Sequence, residues 1–421
     1  MQSSIKLRLT GMNFLQFAVW GAYLTSMGRY LGTAGFGSEI GNFYAMQGLV
    51  SLFMPALMGI VADRWIPAQR LLGVCHTLAG MLMLGVFLYT QTDAPSYPSL
   101  FALYSLSVAF YMPTLALSNS VAYTSLDQAG LDLVKSFPPI RVFGTVGFIC
   151  TMIAVSLLGL EATSGQFAVS AIISLVLAVY AQTLPNCPTA PKGQSKSLVE
   201  ALGLRAFVLF KQRKMALFFI FSMLLGVSLQ ITNGFANPFI STFGEIPAYA
   251  DTFGVKYANI LISLSQLSET LCILLIPFAL RRFGIRRVML IAMVAWVLRF
   301  ALLGLGNPGS GVWLFLLSMI VYGVAFDFFN VSGSLFVDKE TDPSIRSSAQ
   351  GLFMIMTNGI GATLGSLGAQ AVINRFVYSQ SEATAILSGW TTSWYIFAGY
   401  AAVVAVLFAL LFRYNTATEA K

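Results

Sequence analysis

The chain has 421 residues, of which 57% are hydrophobic and only 10% charged, and its mean hydropathy is +0.77. That composition excludes an ordinary soluble domain. The formal net charge of +8 sits in short basic clusters between apolar runs, so it points to membrane topology and not to a nucleic-acid-binding face.

The apolar runs are long and unbroken, without a period-two alternation, which predicts an all-α membrane protein and argues against a membrane barrel. The N-terminal MQSSIKLRLT is positive like the start of a signal peptide. A full-length apolar run follows it with no small-residue cleavage site, so it reads as a retained first span. Windows of about twenty apolar residues predict twelve spans, near 10–31, 39–62, 70–90, 97–119, 138–158, 164–184, 214–236, 255–279, 288–306, 311–337, 347–373 and 390–413. An even number places both termini on one face. All but five of the 24 Lys and Arg residues fall in one set of alternate connections, among them Lys6, Arg8, Arg64, Arg70, Lys192, Lys196, Arg281, Arg282, Arg286, Arg287 and Lys421. The positive-inside rule makes that face, and both termini, cytoplasmic. The exceptions are Arg29, Lys256 and Arg375 near the opposite face, with Arg141 and Arg299 in or at the edge of spans.

The longest polar interruption ends at Lys214; it is rich in Pro, Ser and Lys at its start and amphipathic from Leu198 to Phe210. It divides the chain into a six-helix bundle (1–190), a cytoplasmic linker (191–213) and a second six-helix bundle (214–421). GIVADRWIPAQR after span two is echoed by FALRRFGIRR after span eight, equivalent places in the two halves. Paired bundles of this kind are the layout of an alternating-access transporter.

Ionisable side chains inside spans are costly, about 2.5–3.5 kcal/mol at the centre, and normally face a cavity or a partner. In span five, FPPIRVFGTVGF (137–148) places two prolines just before a helix, with Arg141 about a turn inside. Arg141, Thr145 and Phe148 then share one face. That face lines a cavity, or Arg141 snorkels to the interface or neutralises a loop acid such as Asp132. In span seven Gln230 and Asn233 share a face, and Asn237-Pro238 follows where the helix would break. In span eight Gln266 and Glu269 repeat the spacing. In span ten Tyr322 and Phe326 lie one turn apart, followed by Asp327 and Asn330.

Amides offer donor and acceptor together, and aromatic faces accept a flat ring, so the set suits a neutral, heterocyclic, hydroxylated ligand; the alternative is that the amides bond neighbouring helices. Glu269 and Asp327 either couple a proton to transport or form static ion pairs with Arg141 or Arg299.

His76, the only histidine, reads as a packed, neutral interfacial residue. Asp338, Lys339 and Glu340 read as a solvated charge run, and Gly361 with Gly365 as a close-packing face. Asn358, one turn before them, is placed to reach the cavity. Cys75, Cys150, Cys187 and Cys272 form no CxxC and read as packing residues. No HExxH, GxSxG, P-loop or metal-ligand spacing is present, which argues against an enzyme, and no filter-like repeat argues for a channel. No cofactor or metal is expected.

GIVADRWIPAQR, with Gly59, Asp63, Arg64 and Arg70, resembles the loop between the second and third helices of the major facilitator superfamily. It departs from that pattern at Ile66-Pro67, and the second copy lacks the Asp. YMPTLALSNSVAY, FPPIRVFGTVGF, FFIFSMLLGVSLQITN, SQLSETLCILLIPF, YGVAFDFFNVSGSLFVDKE and SAQGLFMIMTNGIG together resemble the bacterial nucleoside:proton symporter family. The resemblance implies a major facilitator fold, a monomer in the inner membrane, and proton-coupled nucleoside import. It also implies that Arg141, Thr145, Phe148, Gln230, Asn233, Gln266, Glu269, Tyr322 and Phe326 line the nucleoside site, with Asp327 beside it and Glu269 and Asp327 coupling the proton. Asp63 with Arg64 is implied to form a gate interaction, simple loop capping being the alternative. From the residues alone, a symporter of a sugar or another small polar solute is the alternative substrate reading.

Overall fold

The structure, a computed structural model, describes residues 2–189, 204–342 and 345–414. All of its regular secondary structure is helical. Ten helices among the described residues are long and apolar enough to cross a membrane. One of them, Ala258–Leu305, has 48 residues and would be about 72 Å long if straight, more than twice the thickness of a hydrocarbon core of about 30 Å. It is broken at Gly284, whose φ of 74° and ψ of 162° lie where only glycine sits without strain. The two pieces are spans eight and nine. Gln2–Gly21 and Met27–Thr33, separated by a turn, supply span one, which brings the set to twelve.

The remaining spans follow the sequence pattern. Span two is split into Ile40–Ser51 and Met54–Arg64. Spans three to six are Ala68–Tyr89, Tyr97–Gln128, Leu133–Leu157 and Gly165–Tyr180. Span seven is Arg213–Thr242, span ten Val312–Glu340 and span twelve Ala383–Leu411. Span eleven starts as Arg346–Met354, passes through a π-helical stretch, Ile355–Gly361, and ends as Ala362–Phe376.

Several local expectations are corrected. Pro138 and Pro139 lie inside the helix of span five, which already starts at Leu133. There the Asp132 carboxylate accepts a bond from the Lys135 amide and extends the helix N-terminally. Pro238 does not break span seven, which runs on to Thr242; the Ser241 and Thr242 hydroxyls both donate to the Pro238 carbonyl. Asp338 and Lys339 are exposed and Glu340 half-buried, a solvated charge run as expected, and they form the last turn of span ten. Glu340 pairs with Lys214, and Asp338 with Arg346 at 3.2 Å. Of the amphipathic segment 198–210, the part before Leu204 lies outside the described residues, and Leu204–Lys211 is a 3-10 helix with Ala206 and Leu209 buried.

The chain divides into two compact units, Met1–Tyr30 with Leu49–Leu202, and Leu31–Gly48 with Gly203–Lys421. In the first unit, spans one and five touch backbone to backbone. A Cβ on Gly147 would strike the Phe14 main chain, and one on Gly21 the Phe148 main chain. In the second unit, a Cβ on Gly361 or Gly365 would strike the Met223 or Val227 main chain of span seven, as the small-residue spacing predicts. The segment Leu31–Gly48 is bound within that unit by span eleven. Gln370 accepts from the Gly41 amide and donates to Gly37 O, and Asn374 donates to Ser38 O. Arg286, just past the Gly284 break, donates to the carbonyls of Phe412 and Ala409 at 2.7 Å each and closes the end of span twelve.

Candidate functional site

In the first unit the close approach of spans one and five brings their side chains into contact. The Arg141 guanidinium lies 4.0 Å from the centre of the Phe17 ring, a cation–π contact. Trp20, one turn beyond, meets Phe148 edge-on at 6.4 Å and Tyr111 at 6.0 Å. Arg141 and Thr145 are half-buried and Phe148 is buried; Phe17 packs on Arg141 and Trp20 on Phe148. Both aromatics escaped the sequence reading, although Phe17 and Trp20 at helical spacing beside Gln16 carry the signal.

Behind this face lies a wholly buried polar network. The Gln16 amide nitrogen donates to the Thr114 hydroxyl at 2.7 Å, and Thr114 donates to Tyr111 O. The Gln16 oxygen is therefore the acceptor for His76 Nε2, 2.8 Å away, which fixes that nitrogen as the protonated one. Nδ1 lies 2.9 Å from Ser174 Oγ, and the Tyr111 hydroxyl donates to Gln16 O at 2.9 Å. His76 is thus a core residue joining spans one, three and six, a correction to the interfacial position expected. Asp63 and Arg64, the expected gate pair, end the helix Met54–Arg64, one half-buried and the other exposed.

The second unit holds the other predicted residues. Asn233 donates to the Gln230 side-chain oxygen at 2.8 Å, so the two amides of span seven act as one group. Asn237 instead donates across to Asn259 of span eight at 2.9 Å, the helix-joining role. Tyr322 and Phe326 are stacked, 5.7 Å apart and 5° from parallel. Asp327 is 5% exposed, its Oδ2 has no hydrogen-bond partner among the described residues, and the field of Glu269 reaches it. The Gln266 side-chain oxygen is likewise buried without a hydrogen-bond partner. Arg299 forms no ion pair with either acid; its contacts are with Ser318, Ser265 and Tyr322. Asn358 stands in the π-helical stretch of span eleven, its amide 3.6 Å from Met354 Sδ; π-helical turns recur at functional sites.

This unit therefore presents a pair of amides, a stacked aromatic pair and two carboxyl groups in each other's field. Such a set can hydrogen-bond and stack a flat polar ring, and it changes charge when one proton is exchanged. Among the described residues no group of three or more His, Cys, Asp or Glu side chains could hold a metal ion. Cys75, Cys187 and Cys272 are buried thiols and Cys150 is exposed.

Comparison with known proteins gives the set its context. The family model described as nucleoside H+ symporter matches residues 2–417. The chain is 49% identical to a xanthosine permease of Escherichia coli K12 and 47% identical to the nucleoside permease NupG of the same strain, in each case over 98% of this chain and 97% of the relative. A crystal structure of a mutant of the nucleoside transporter NupG superposes with a TM-score of 0.91 at 45% identity, covering 97% of this chain and all of that one. The family match decides for nucleosides over sugars, and for a transporter over an enzyme: the chain is a multi-pass membrane protein of the nucleoside:proton symporter family.

Proposed function

We propose that the protein imports nucleosides across a bacterial inner membrane as a monomer, with both termini cytoplasmic, and that residues 1–190 and 214–421 act as its two bundles. Arg141, Thr145 and Phe148 contact the nucleoside from the first, and Gln230, Asn233, Gln266, Glu269, Tyr322 and Phe326 from the second. Amides read the base edges, the Tyr322–Phe326 stack receives the base plane, and Glu269 and Arg141 have the chemistry to bond ribose hydroxyls or base carbonyls. Asp63 with Arg64 serves as a cytoplasmic gate.

The observation that carries the coupling role is the Asp327 carboxyl. It is buried in a span, lacks a hydrogen bond on Oδ2, feels the field of Glu269 and has no basic partner at ion-pair distance among the described residues. A structural carboxylate in that setting would need a cation; an exchangeable proton is the chemistry that fits. Protonation from outside permits the conformational change, and release inside resets it. The test is uptake of labelled uridine or adenosine into energised vesicles, with excess unlabelled nucleoside or sugar as competitor. Accumulation above the external concentration, abolished by an uncoupler and by nucleosides but not by sugars, is the expected result. Accumulation that survives the uncoupler would refute proton coupling.

A further inference from the structure

Arg299, in span nine, is a cation in the interior of a membrane protein with 2% of its surface exposed, and no acid among the described residues pairs with it. Nη1 donates to Ser318 O at 2.8 Å and reaches Ser265 Oγ at 3.4 Å, while Nε has no hydrogen-bond partner among the described residues. The guanidinium carbon lies 4.4 Å from the centre of the Tyr322 ring. A buried charge held by neutral groups alone is a poor way to stabilise a fold, and intramembrane charges mark function by default.

The contacts converge on one side chain. Ser318 precedes Tyr322 by four residues, so the carbonyl that Arg299 grips lies at the foot of the turn carrying that ring. The Ser318 hydroxyl donates back to Arg299 O at 2.9 Å, and this reciprocal pair fixes span nine against span ten at the level of Tyr322. Trp296 closes on the ring edge-on at 5.9 Å, and Phe326 stacks with it. Only a planar guanidinium can lie flat on a ring and donate sideways to a carbonyl together; an ammonium has the charge without the plane.

We infer that Arg299 is a positioning residue for nucleoside recognition, holding Tyr322, and through it the Tyr322–Phe326 stack, in the one orientation that receives the base. The inference rests on the reading that Tyr322 contacts the nucleoside. Arg299 itself touches no substrate.

A double-mutant cycle on the full chain reconstituted in liposomes tests it, with labelled uridine exchange giving KM and maximal rate separately. Arg299→Gln is expected to raise KM about tenfold, the loss of one desolvated cation–π contact, with maximal rate little changed. Arg299→Lys should raise KM to a similar degree although it keeps the charge. In a Tyr322→Ala background, adding Arg299→Gln should alter KM by less than about twofold. Effects that multiply in the double variant, or wild-type KM in Arg299→Lys, would overturn the inference and leave the role of Tyr322 standing. A Tyr322→Ala protein with wild-type KM would remove Tyr322 from the site and the inference with it. Should Arg299→Gln fail to assemble, Arg299→Lys completes the same cycle.

Discussion

Replacing Asp327 with Asn keeps the size and planarity of the side chain and removes its exchangeable proton. The fold should tolerate it, because Asp327 sits 5% exposed with no hydrogen bond at Oδ2 and no ion pair to lose. If this carboxyl carries one proton per nucleoside, the charge moved across a potential of about 100 mV is worth about 2.3 kcal/mol. That drives accumulation of about fiftyfold. In Asp327→Asn the ratio should fall to unity, because substrate binding persists while nothing ties the conformational step to the gradient. Liposomes carrying an imposed potassium diffusion potential measure the ratio, and counterflow without a potential measures whether the carrier still cycles. The expected pattern is loss of accumulation with counterflow retained. An Asp327→Asn protein that accumulates uridine to the wild-type ratio, in an uncoupler-sensitive way, would refute the coupling role.

Other substitutions probe the scaffold. Glu269→Gln should also abolish accumulation in the same assay, and full concentrative uptake would remove that residue from the mechanism. A side chain at Gly365, as in Gly365→Leu, would place its Cβ 2.7 Å from the Val227 Cα. The overpacking should cost about 1–3 kcal/mol and lower the thermal midpoint in detergent; an unchanged midpoint would contradict the backbone contact. Glu161, 2% exposed, accepts from Ser156 and pairs with Arg29 at 3.2 Å. Glu161→Ala should cost about 3 kcal/mol, Glu161→Gln clearly less, and equal melting curves for the two would show that the charge does not matter. Asn237→Ala removes the bond to Asn259 and should cost about 0.6–1.7 kcal/mol with little effect on uridine affinity; a large rise in KM would place Asn237 in the binding site.

Much of this was legible in the sequence, for physical reasons. A membrane span must satisfy its own backbone, so length and hydropathy specify helices directly, and the one carboxyl in an apolar run such as Ser318–Val337 draws attention to itself. The spacing of Gln230 and Asn233, or of Tyr322 and Phe326, likewise translated into contacts. What failed was local and depended on neighbours. Pro138 sits within a helix because Asp132 caps the Lys135 amide and starts the helix upstream of it, and past Pro238 the helix runs on to Thr242 with the Ser241 and Thr242 hydroxyls bonded to the Pro238 carbonyl. The packing of Arg141 on Phe17 and of Arg299 on Tyr322 joins residues of different spans, and hydropathy has no term for such pairing. His76 shows the same gap: its position predicts a packed residue, but at an interface, and its partners Gln16 and Ser174 on two other spans were not legible.

The membership of Leu31–Gly48 in the compact unit that also holds Gly203–Lys421 bears on how the gene can be divided. A plasmid encoding only the C-terminal portion would yield a product with Gln370 and Asn374 stripped of the main-chain groups they bind, and with Thr363 and the Gly359 carbonyl bared where Gly48 packs. Co-expressed fragments cut at the central linker should therefore be recovered as a complex or not at all, while either fragment alone should be cleared by proteolysis.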